Sequence, residues 1–243
     1  MRIEGCTALV TGAGRGLGRA FAEALVERGA RVVYGGARDP GRVTAPGVTP
    51  VALDVTDPGQ VAAAAERCGD VSLLVNNAGV LHGSAFLDPG AADSARAEME
   101  VNYFGTLAMC RAFAPVLGRA GGGALVNMLS VVSFFANPRN GTYGASKSAS
   151  WSLTNSLRTE LRHQGTLVVA VHAGFIDTDM AAQVPAGAKI APAEVARQAF
   201  DAVEAGQEEV LADERTRRIK ANLSRDQELI YPGVQETWDN RPA

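Results

Sequence analysis

The stretch CTALVTGAGRGLG, residues 6–18, decides the fold of this chain. Its first part, residues 6–10, is a short apolar run of the kind that forms a buried strand, and glycines crowd the part that follows. Residues 16–28 then place apolar side chains at helical spacing and end before Gly29, a common helix stop. A strand, a glycine turn and a helix at the start of an α/β chain predict a dinucleotide site. The turn brings the backbone close to a pyrophosphate, and the helix N-terminus offers free N–H groups.

Downstream of this stretch, short apolar runs alternate with longer helical patterns. Further strands are predicted at residues 31–34, 49–54, 71–76, 124–129, 167–172 and 209–211, and further helices at 57–68, 91–118, 143–163 and 192–206. The strands are apolar on both faces, which is typical of a parallel sheet covered by helices on each side. We therefore predict the α/β class, with one Rossmann-type domain over residues 1–243. Its doubly wound parallel sheet should have about seven strands and carry helices on both faces.

Four features are predicted to depart from this regular alternation. Pro115 is a weak point near the end of the long helix at 91–118. Residues 41–50 are rich in proline and glycine, so the helix expected between the second and third strands should be stunted or absent. Residues 181–191 are mostly small and predict a short substrate loop, and residues 213–243 predict a helix followed by an extended arm.

Composition and charge exclude several classes of function. The net charge of −3 and the pI of about 5.7 argue against the concentrated basic face that nucleic-acid binding needs. The three cysteines and three histidines show neither CxxC nor HExxH spacing, so we expect no disulfide framework and no metal site. Glu4 stands where a signal peptide would begin its apolar run, and no apolar stretch is long enough to span a bilayer. We expect a soluble cytoplasmic protein that binds neither nucleic acid nor membrane.

The spacing of the glycines narrows the type of nucleotide site. The turn reads Thr11-Gly12, three residues, Gly16, one residue, Gly18. Leu17 stands where a GxGxxG motif would have its third glycine, and no Gly-Lys-Ser/Thr follows as a P-loop would require. This Thr-Gly spacing resembles the nucleotide loop of the short-chain dehydrogenase/reductase family.

A tyrosine and a lysine lie four residues apart in YGASK, residues 143–147. On a helix, Tyr143 and Lys147 share one face. A phenol has an ordinary pKa of about 10, and a nearby ammonium lowers that value, so the pair can exchange a proton near neutrality. The spacing alone is common, and a helix that merely contains both residues is the competing interpretation.

Two further polar residues fit a reaction site in the same half of the chain. Ser130 follows the predicted fifth strand, thirteen residues before Tyr143, where a hydroxyl can donate a hydrogen bond to a substrate carbonyl. Ser133 competes for this role, and the family-like spacing favours Ser130. Asn102 lies inside a helical pattern, which asparagine disfavours. It is either an exposed polar residue or, by the resemblance, a fourth catalytic residue.

The resemblance covers roughly residues 7–180 and implies a role for each matched residue. Tyr143 would act as the acid/base, and Lys147 would bind the nicotinamide ribose and keep the pKa of the tyrosine low. Ser130 would orient the carbonyl, and Asn102 would support a water-linked proton path behind Lys147. The remaining matched cofactor residues would be Gly12, Arg15, Gly16, Leu17, Gly18, Asp54, Val55, Asn77, Ala78, Gly79, Ile176 and Thr178.

The end of the second strand distinguishes NAD from NADP. An acidic residue there would bond the ribose 2′-OH of NAD and repel a 2′-phosphate. Gly36 takes the position where NAD-preferring relatives place Asp, and Arg38 the position where NADP-preferring relatives place Arg. Arg15 is a second cation near the same phosphate, and guanidinium groups suit phosphates. We predict NADP(H), with two solvated surface arginines as the competing interpretation and Asp39 as a residue that could weaken the preference.

The segment after the sixth strand departs from the family pattern. The family usually has Pro-Gly where this chain has Ala173-Gly174, which leaves the path of the loop open. His172 is assigned to packing or to substrate contact. Further substrate contacts are expected from His82, Phe134, Phe135 and Phe175.

These features predict an NADP(H)-dependent oxidoreductase that moves a hydride between the nicotinamide and a small carbonyl or secondary-alcohol substrate. Two alternatives stay open: a catalytically silent NADPH-binding sensor or scaffold, and an NAD-dependent alcohol dehydrogenase. The resemblance also implies a homodimer or homotetramer formed through the helices at 91–118 and 143–163. The sequence does not identify the substrate or the direction of the reaction.

Overall fold

A sheet of parallel strands lies at the centre of the computed structural model, which describes residues 1–240. The strands are β1 (Thr7–Thr11), β2 (Val32–Ala37), β3 (Val48–Ala52), β4 (Leu73–Asn76), β5 (Ala124–Met128), β6 (Leu167–His172), β7 (Phe175–Ile176), β8 (Lys189–Ile190) and β9 (Glu209–Leu211). Seven of them form the main sheet in the order β3-β2-β1-β4-β5-β6-β9, and β7 pairs with β8 separately. The order reverses direction between β1 and β4, which is where such folds bind their ligands.

Helices cover both faces of this sheet. They are α1 (Gly16–Glu27), α2 (Pro58–Arg67), α3 (Ala91–Met99), α4 (Thr106–Arg119), α5 (Gly141–Glu160), α6 (Pro192–Ala205), α7 (Glu214–Ala221), α8 (Asp226–Leu229) and α9 (Tyr231–Asp239). On one face the buried core includes Ala8 and Val10 of β1 with α1 and α6, and on the other Leu9 packs with α2, α4 and α5. The predicted fold class, with apolar side chains on both faces of the strands, is confirmed.

The crossover from β2 to β3 contains only a short 3₁₀ turn, Pro40–Arg42, in place of a helix, as the sequence predicts. The strand before it is longer than predicted, because the pattern ended it at Tyr34 whereas Gly35 and Gly36 continue the pairing with β1. A Cβ on Gly35 would lie 2.6 Å from Cγ1 of Val43. These glycines therefore let neighbouring side chains pack directly on the strand.

The long helix predicted at 91–118 is interrupted, although not at Pro115. A π-helical segment, Glu100–Gly105, separates α3 from α4, and Pro115 lies within α4 without ending it. Asn102 lies in the π-helical segment, and its side chain bonds the backbone of Val80 instead of facing solvent. Short π-helical segments inside α-helices occur frequently at functional sites.

Of the helix and the extended arm predicted over residues 213–243, the helix is present as α7. The arm is wrong for the described part of the chain, where α8 and α9 take its place. Pro232 lies in the first turn of α9, where proline is tolerated. Ile219 and Ile230 are buried in one apolar cluster with Phe135 and Tyr143, so this region packs against the start of α5. The end of the predicted arm, residues 241–243, lies outside the described residues.

All three cysteines are free and buried. Burial raises the pKa of the Cys6 and Cys68 thiols to about 11 and that of Cys110 to about 12. Within residues 1–240, no helix combines the length and the apolar character needed to cross a bilayer.

Candidate active site

A cleft of about 720 Å³ opens at the carboxyl edge of the parallel sheet. Its walls are the glycine turn before α1, the segments that follow β2 to β5, part of α5, and the loop after β6. Every predicted cofactor residue lies along these walls, as does Ser130, and Asn102 lies behind them. The structure thus gathers residues as far apart in the sequence as Gly12 and Thr178 into one site.

The glycine turn forms a floor without side chains. Gly12 and Gly16 have φ angles of 69° and 52°, which favour glycine. A Cβ on Gly18 would overlap the carbonyl oxygen of Gly12 and lie 2.6 Å from Nδ2 of Asn77. Because α1 begins at Gly16, its free N–H groups end at this floor, and a pyrophosphate could approach them closely.

The ends of β1 and β4 are tied together beneath the cleft. Oγ1 of Thr11 accepts hydrogen bonds from the backbone N–H groups of Asn77 and Ala78, each at 3.0 Å. Nδ2 of Asn77 donates to the carbonyl of Thr11 at 3.0 Å. Asn77 and Thr11 therefore hold the two strand ends together, and Ala78 and Gly79 line the cleft wall.

Ser130 and Ser133 take different roles in one turn after β5. Ser130 follows β5 directly, and its hydroxyl accepts from the N–H of Val132 at 3.3 Å. The hydroxyl of Ser133 accepts from the N–H of Ser130 at 3.3 Å, so its side chain completes the cap. Only Ser130 of the two lines the cleft. Its side chain also bonds that of Tyr143, which makes Ser130 the serine at the candidate site.

Tyr143 lies in the first turns of α5 with its side chain almost entirely buried. Burial raises the pKa of its phenol, and the hydrogen bond with Ser130 offsets part of that rise. The sequence argument expected the lysine to lower this pKa. In this structure burial instead raises it, so the phenol is protonated at neutral pH.

Lys147 lies one turn further along α5, on the face that it shares with the tyrosine. Its Nζ donates to the carbonyl of Met128 at 2.9 Å and lies 5.7 Å from the centre of the Tyr143 ring. Burial lowers the pKa of Lys147 to about 8. The ammonium can therefore lose or regain a proton near neutrality.

Asn102 is buried, which rules out the exposed polar residue considered from the sequence. Its Oδ1 accepts from the N–H of Val80 at 2.8 Å, and its Nδ2 donates to Oγ of Ser146 at 2.9 Å. A Cβ on Gly79 would lie 3.1 Å from Oδ1 of Asn102 and 3.7 Å from Nζ of Lys147. Asn102 thus lies close behind Lys147 and links the strand end after β4 to α5.

Buried hydroxyls fix the position of α5 along its axis. Oγ of Ser150 donates to the carbonyl of Asn102 at 2.9 Å. One turn later, Oγ1 of Thr154 accepts from Nδ2 of Asn127 on β5 at 2.9 Å. Sliding the helix would leave these buried polar groups unpaired, which costs free energy. The positions of the tyrosine and lysine on α5 are therefore set by several independent bonds.

The end of β2 carries a group of cations. Arg38 lines the cleft, and Arg42 lines it from the 3₁₀ turn, where its Cβ lies 3.2 Å from the place of a Cβ on Gly14. Asp39 accepts from the N–H of Gly41 at 3.0 Å and thus caps this turn. Arg15 reaches across the cleft mouth to Asp179, at 2.8 Å. Sequence reasoning missed Arg42, although the shortened crossover was the signal that residues after Asp39 would stay at the cleft.

The loop after β6 is held in place without the proline that the family usually has. The N–H of Gly174 donates to Oδ2 of Asp213 at 2.6 Å. Oδ1 of the same carboxylate accepts from the N–H of Thr216 at 2.8 Å and so caps α7. Asp213 therefore joins the segment that leads to Ile176 and Thr178 to the C-terminal helices.

We expect Asp213→Ala to lower the free energy of unfolding by about 1–3 kcal/mol, because a helix cap and the bond to Gly174 are both lost. For a chain of this size the melting temperature should fall by about 2–4 °C per kcal/mol, which thermal unfolding measures. Asp213→Asn keeps one oxygen acceptor and should recover part of the loss. An unchanged melting temperature in Asp213→Ala would contradict this role.

His172 belongs to the core and does not contact the cleft. It is fully buried, its ring stacks on Phe134 with centroids 4.1 Å apart, and its Nδ1 lies 3.1 Å from the carbonyl oxygen of Ser130. Burial lowers the pKa of this histidine to about 4, so the ring is neutral near pH 7. Of the expected substrate contacts, Phe175 lines the cleft and His82 does not. Phe134 and Phe135 line a separate pocket of about 340 Å³.

The far end of the cleft holds two arginines that the sequence analysis did not single out. Arg139 comes from a 3₁₀ turn before α5, and Arg215 comes from α7. No motif marks either residue. The position of Arg215 depends on how α7 packs next to β9, the edge strand of the sheet, which a sequence pattern does not encode.

Known proteins resemble this chain in sequence and in fold. A family model described as short chain dehydrogenase matches residues 6–189. A sorbitol dehydrogenase of Cereibacter sphaeroides is 37% identical over 187 residues, 73% of each chain.

Two solved structures share the fold over nearly the whole chain. A short chain dehydrogenase of Burkholderia cenocepacia, in complex with NADP, is 43% identical with a TM-score of 0.91, covering 96% of this chain and 99% of its own. A short chain dehydrogenase/reductase of Burkholderia phymatum, in complex with NAD, is 29% identical with a TM-score of 0.80 and covers 96% of each chain.

Proposed function

The chain belongs to the short-chain dehydrogenase family, and from that premise we propose that it is an NADP(H)-dependent oxidoreductase acting on carbonyl compounds and secondary alcohols. Membership makes it an oxidoreductase with a nicotinamide cofactor and a small-molecule substrate. The observation that carries the finer proposal is the meeting of Ser130, Tyr143 and Lys147 in the same cleft as the glycine turn. A fold of this family without turnover would have no need of the three together.

The cleft fits a dinucleotide. Its floor at Gly12, Gly16 and Gly18 is bare backbone that a Cβ would obstruct, and the N–H groups of α1 end there. Asp54 and Val55 line the wall after β3, and Thr178 lies opposite Gly16. These residues would hold the adenosine and pyrophosphate parts, with the nicotinamide towards Tyr143.

The bound nicotinamide supplies or accepts a hydride. Tyr143 handles the proton: because burial keeps the phenol protonated at neutral pH, it can donate to a carbonyl oxygen that is gaining negative charge. The hydroxyl of Ser130, bonded to that phenol, would donate to the same oxygen and orient it. In the direction of alcohol oxidation the phenol would accept the proton, and Lys147, with a pKa of about 8, can balance that charge.

The test of this function is NADPH oxidation with a panel of aldehydes, ketones and diketones. The reaction is measured as the loss of NADPH absorbance. Turnover with several carbonyl compounds would support the proposal. Tight NADPH binding without turnover across the panel would instead favour a sensor or scaffold.

The preference for NADP over NAD is argued from charge at the end of β2. Arg38 and Arg42 line the cleft there, and neither forms an ion pair with a carboxylate among residues 1–240. The acid between them, Asp39, is engaged in capping the turn. A 2′-phosphate would pair with such cations. The relative solved with NADP is the more similar of the two structures described above.

We expect Arg38→Ala and Arg42→Ala each to lower kcat/KM for NADPH by about 10- to 100-fold, since each loses a charge-assisted contact with the phosphate. Values for NADH should stay within about twofold, because NADH lacks that phosphate. Steady-state kinetics with both cofactors measures the effect. Arg119→Ala, an exposed arginine at the end of α4, is the matched control. Equal losses with NADPH and NADH would refute the assignment, and a wild-type preference for NADH would favour an NAD-dependent dehydrogenase.

The substrate loop, the role of the C-terminal region, the oligomeric state and the cellular location stay predictions. We infer that residues 181–191 form the substrate loop, because Ala181 and Val184 line the cleft, and that residues 213–240 close its far end through α7. A homodimer or homotetramer and a cytoplasmic location are expected from the resemblance and from the composition.

A further inference from the structure

Arg215 is an arginine of the cleft wall that the cofactor does not explain. It lies near the start of α7, is half-buried, and places its guanidinium carbon 4.9 Å from the centre of the Phe175 ring. Stacking on an aromatic face holds the planar group in a fixed orientation and leaves the N–H groups at its edge available.

No hydrogen bond or ion pair joins the guanidinium of Arg215 to any residue in the described part of the chain. The nearby carboxylate of Asp213 is occupied by Gly174 and Thr216. On the same helix, by contrast, Arg217 pairs with Glu214 at 3.1 Å. Partial burial of an unpaired cation costs free energy, and it lowers the pKa of Arg215. A group retained at such a cost points to a ligand of opposite charge.

The position of Arg215 separates it from the cations at the adenosine end. Arg38 follows β2 and Arg215 follows β9, five steps apart in the order of the sheet, or about 24 Å at the usual strand spacing. β5, which leads to Ser130, lies between them. Arg215 is therefore beyond the reacting residues when approached from the adenosine end, on the side left for substrate.

The other charged residues of the cleft also favour an anionic ligand on the substrate side. Its three acids are already engaged: Asp39 caps a turn, Asp54 bonds Thr56, and Asp179 pairs with Arg15. Arg139, also at the far end, donates to a backbone carbonyl and not to a carboxylate. The substrate side thus carries positive charge that the described residues do not neutralise.

We propose that Arg215 binds an oxyanion, a carboxylate or a phosphate, on the substrate, and that this chain acts on anionic carbonyl compounds and their hydroxy counterparts. The forked N–H groups of a guanidinium match two oxygens of either group. The inference rests on the proposed function, because it assigns the substrate class of the same cleft.

The experiment compares matched pairs of carbonyl compounds that differ in one anionic group. Levulinate is compared with methyl levulinate, and hydroxyacetone phosphate with hydroxyacetone, each with NADPH and measured as kcat/KM. The enzymes are wild type, Arg215→Leu, Arg215→Lys and the control Arg218→Leu, which removes an exposed charge from the same helix.

In the wild type we expect the anionic member of at least one pair to exceed its neutral partner by about 10- to 100-fold, the worth of a charge-assisted bond. Arg215→Leu should abolish this ratio and leave the neutral compound unchanged, Arg215→Lys should keep part of it, and Arg218→Leu should keep all of it. The pair that responds identifies carboxylate or phosphate. A wild-type ratio near one, or equal losses for both members in Arg215→Leu, would overturn the inference while the oxidoreductase function stands.

If no compound of either pair is reduced, the oxyanion site is tested by ligand binding instead. NADPH-loaded wild type and Arg215→Leu are titrated with malonate and with inorganic phosphate, and thermal stability is followed. Stabilisation of the wild type alone supports the oxyanion site even where the hydride-transfer proposal has failed. Equal behaviour of the two proteins overturns the site.

Discussion

Tyr143→Phe is expected to lower kcat by about 100- to 10,000-fold while NADPH binding and the melting temperature stay close to those of the wild type. The substitution removes the phenol that we propose passes a proton to the carbonyl oxygen, and proton transfer of this kind is worth about 10²–10⁴ in rate. The buried ring is retained, so packing is preserved. Steady-state kinetics, NADPH fluorescence titration and thermal unfolding measure the three quantities.

The matched control for this variant is Tyr103→Phe. Tyr103 lies in the π-helical segment, stacks edge-on against Phe104, and does not line the cleft. We expect its activity to equal that of the wild type. If Tyr143→Phe kept a tenth or more of the activity, the proton would have to come from elsewhere, and the roles assigned to Ser130 and Tyr143 would be wrong.

Gly18→Ala is expected to weaken NADPH binding by more than about 100-fold. The new methyl group would overlap the carbonyl oxygen of Gly12 and crowd Nδ2 of Asn77, and neither can withdraw without breaking the ties between β1 and β4. The floor of the cleft must therefore shift. Forced overpacking costs about 1–3 kcal/mol, and the lost contacts with the pyrophosphate add to it.

Fluorescence titration with NADPH and thermal unfolding measure the two parts of this effect. Gly233→Ala is the control, because a Cβ at that position meets nothing within 4 Å. A Gly18→Ala protein that binds NADPH within about twofold of the wild type would show that the turn can relax, and that the bare floor is not required.

The sequence predicts those parts of the fold that depend on local patterns. Residues 6–18 foretell β1, the glycine turn and α1 because a buried strand, positive φ angles and a helix start each leave a mark on the nearby sequence. The strand at Leu167–His172 is predicted at its observed bounds for the same reason. Patterns fail where tertiary contacts decide: β2 continues through Gly35 and Gly36 because Val43 and Leu53 pack on them.

The residues of the candidate site likewise fall into those that the sequence predicts and those that only the structure reveals. Ser130, Tyr143 and Lys147 could be found because their spacing resembles the family pattern, and the structure brings them together in one cleft. The direction in which the pKa of Tyr143 shifts could not be predicted from the sequence, because it depends on how completely the phenol is buried. Arg42 and Arg215 reach the cleft from a shortened crossover and a terminal helix, so only the assembled fold reveals them.

The burial of all three cysteines bears on how this protein can be labelled for spectroscopy. Thiol-reactive dyes attack the thiolate, and pKa values of about 11 to 12 leave almost none of it at neutral pH. The native thiols are also shielded by the packed interior. A cysteine introduced on an exposed surface would therefore be modified selectively in the folded protein. Distances across the cleft could then be followed by fluorescence or spin labels without first removing Cys6, Cys68 or Cys110.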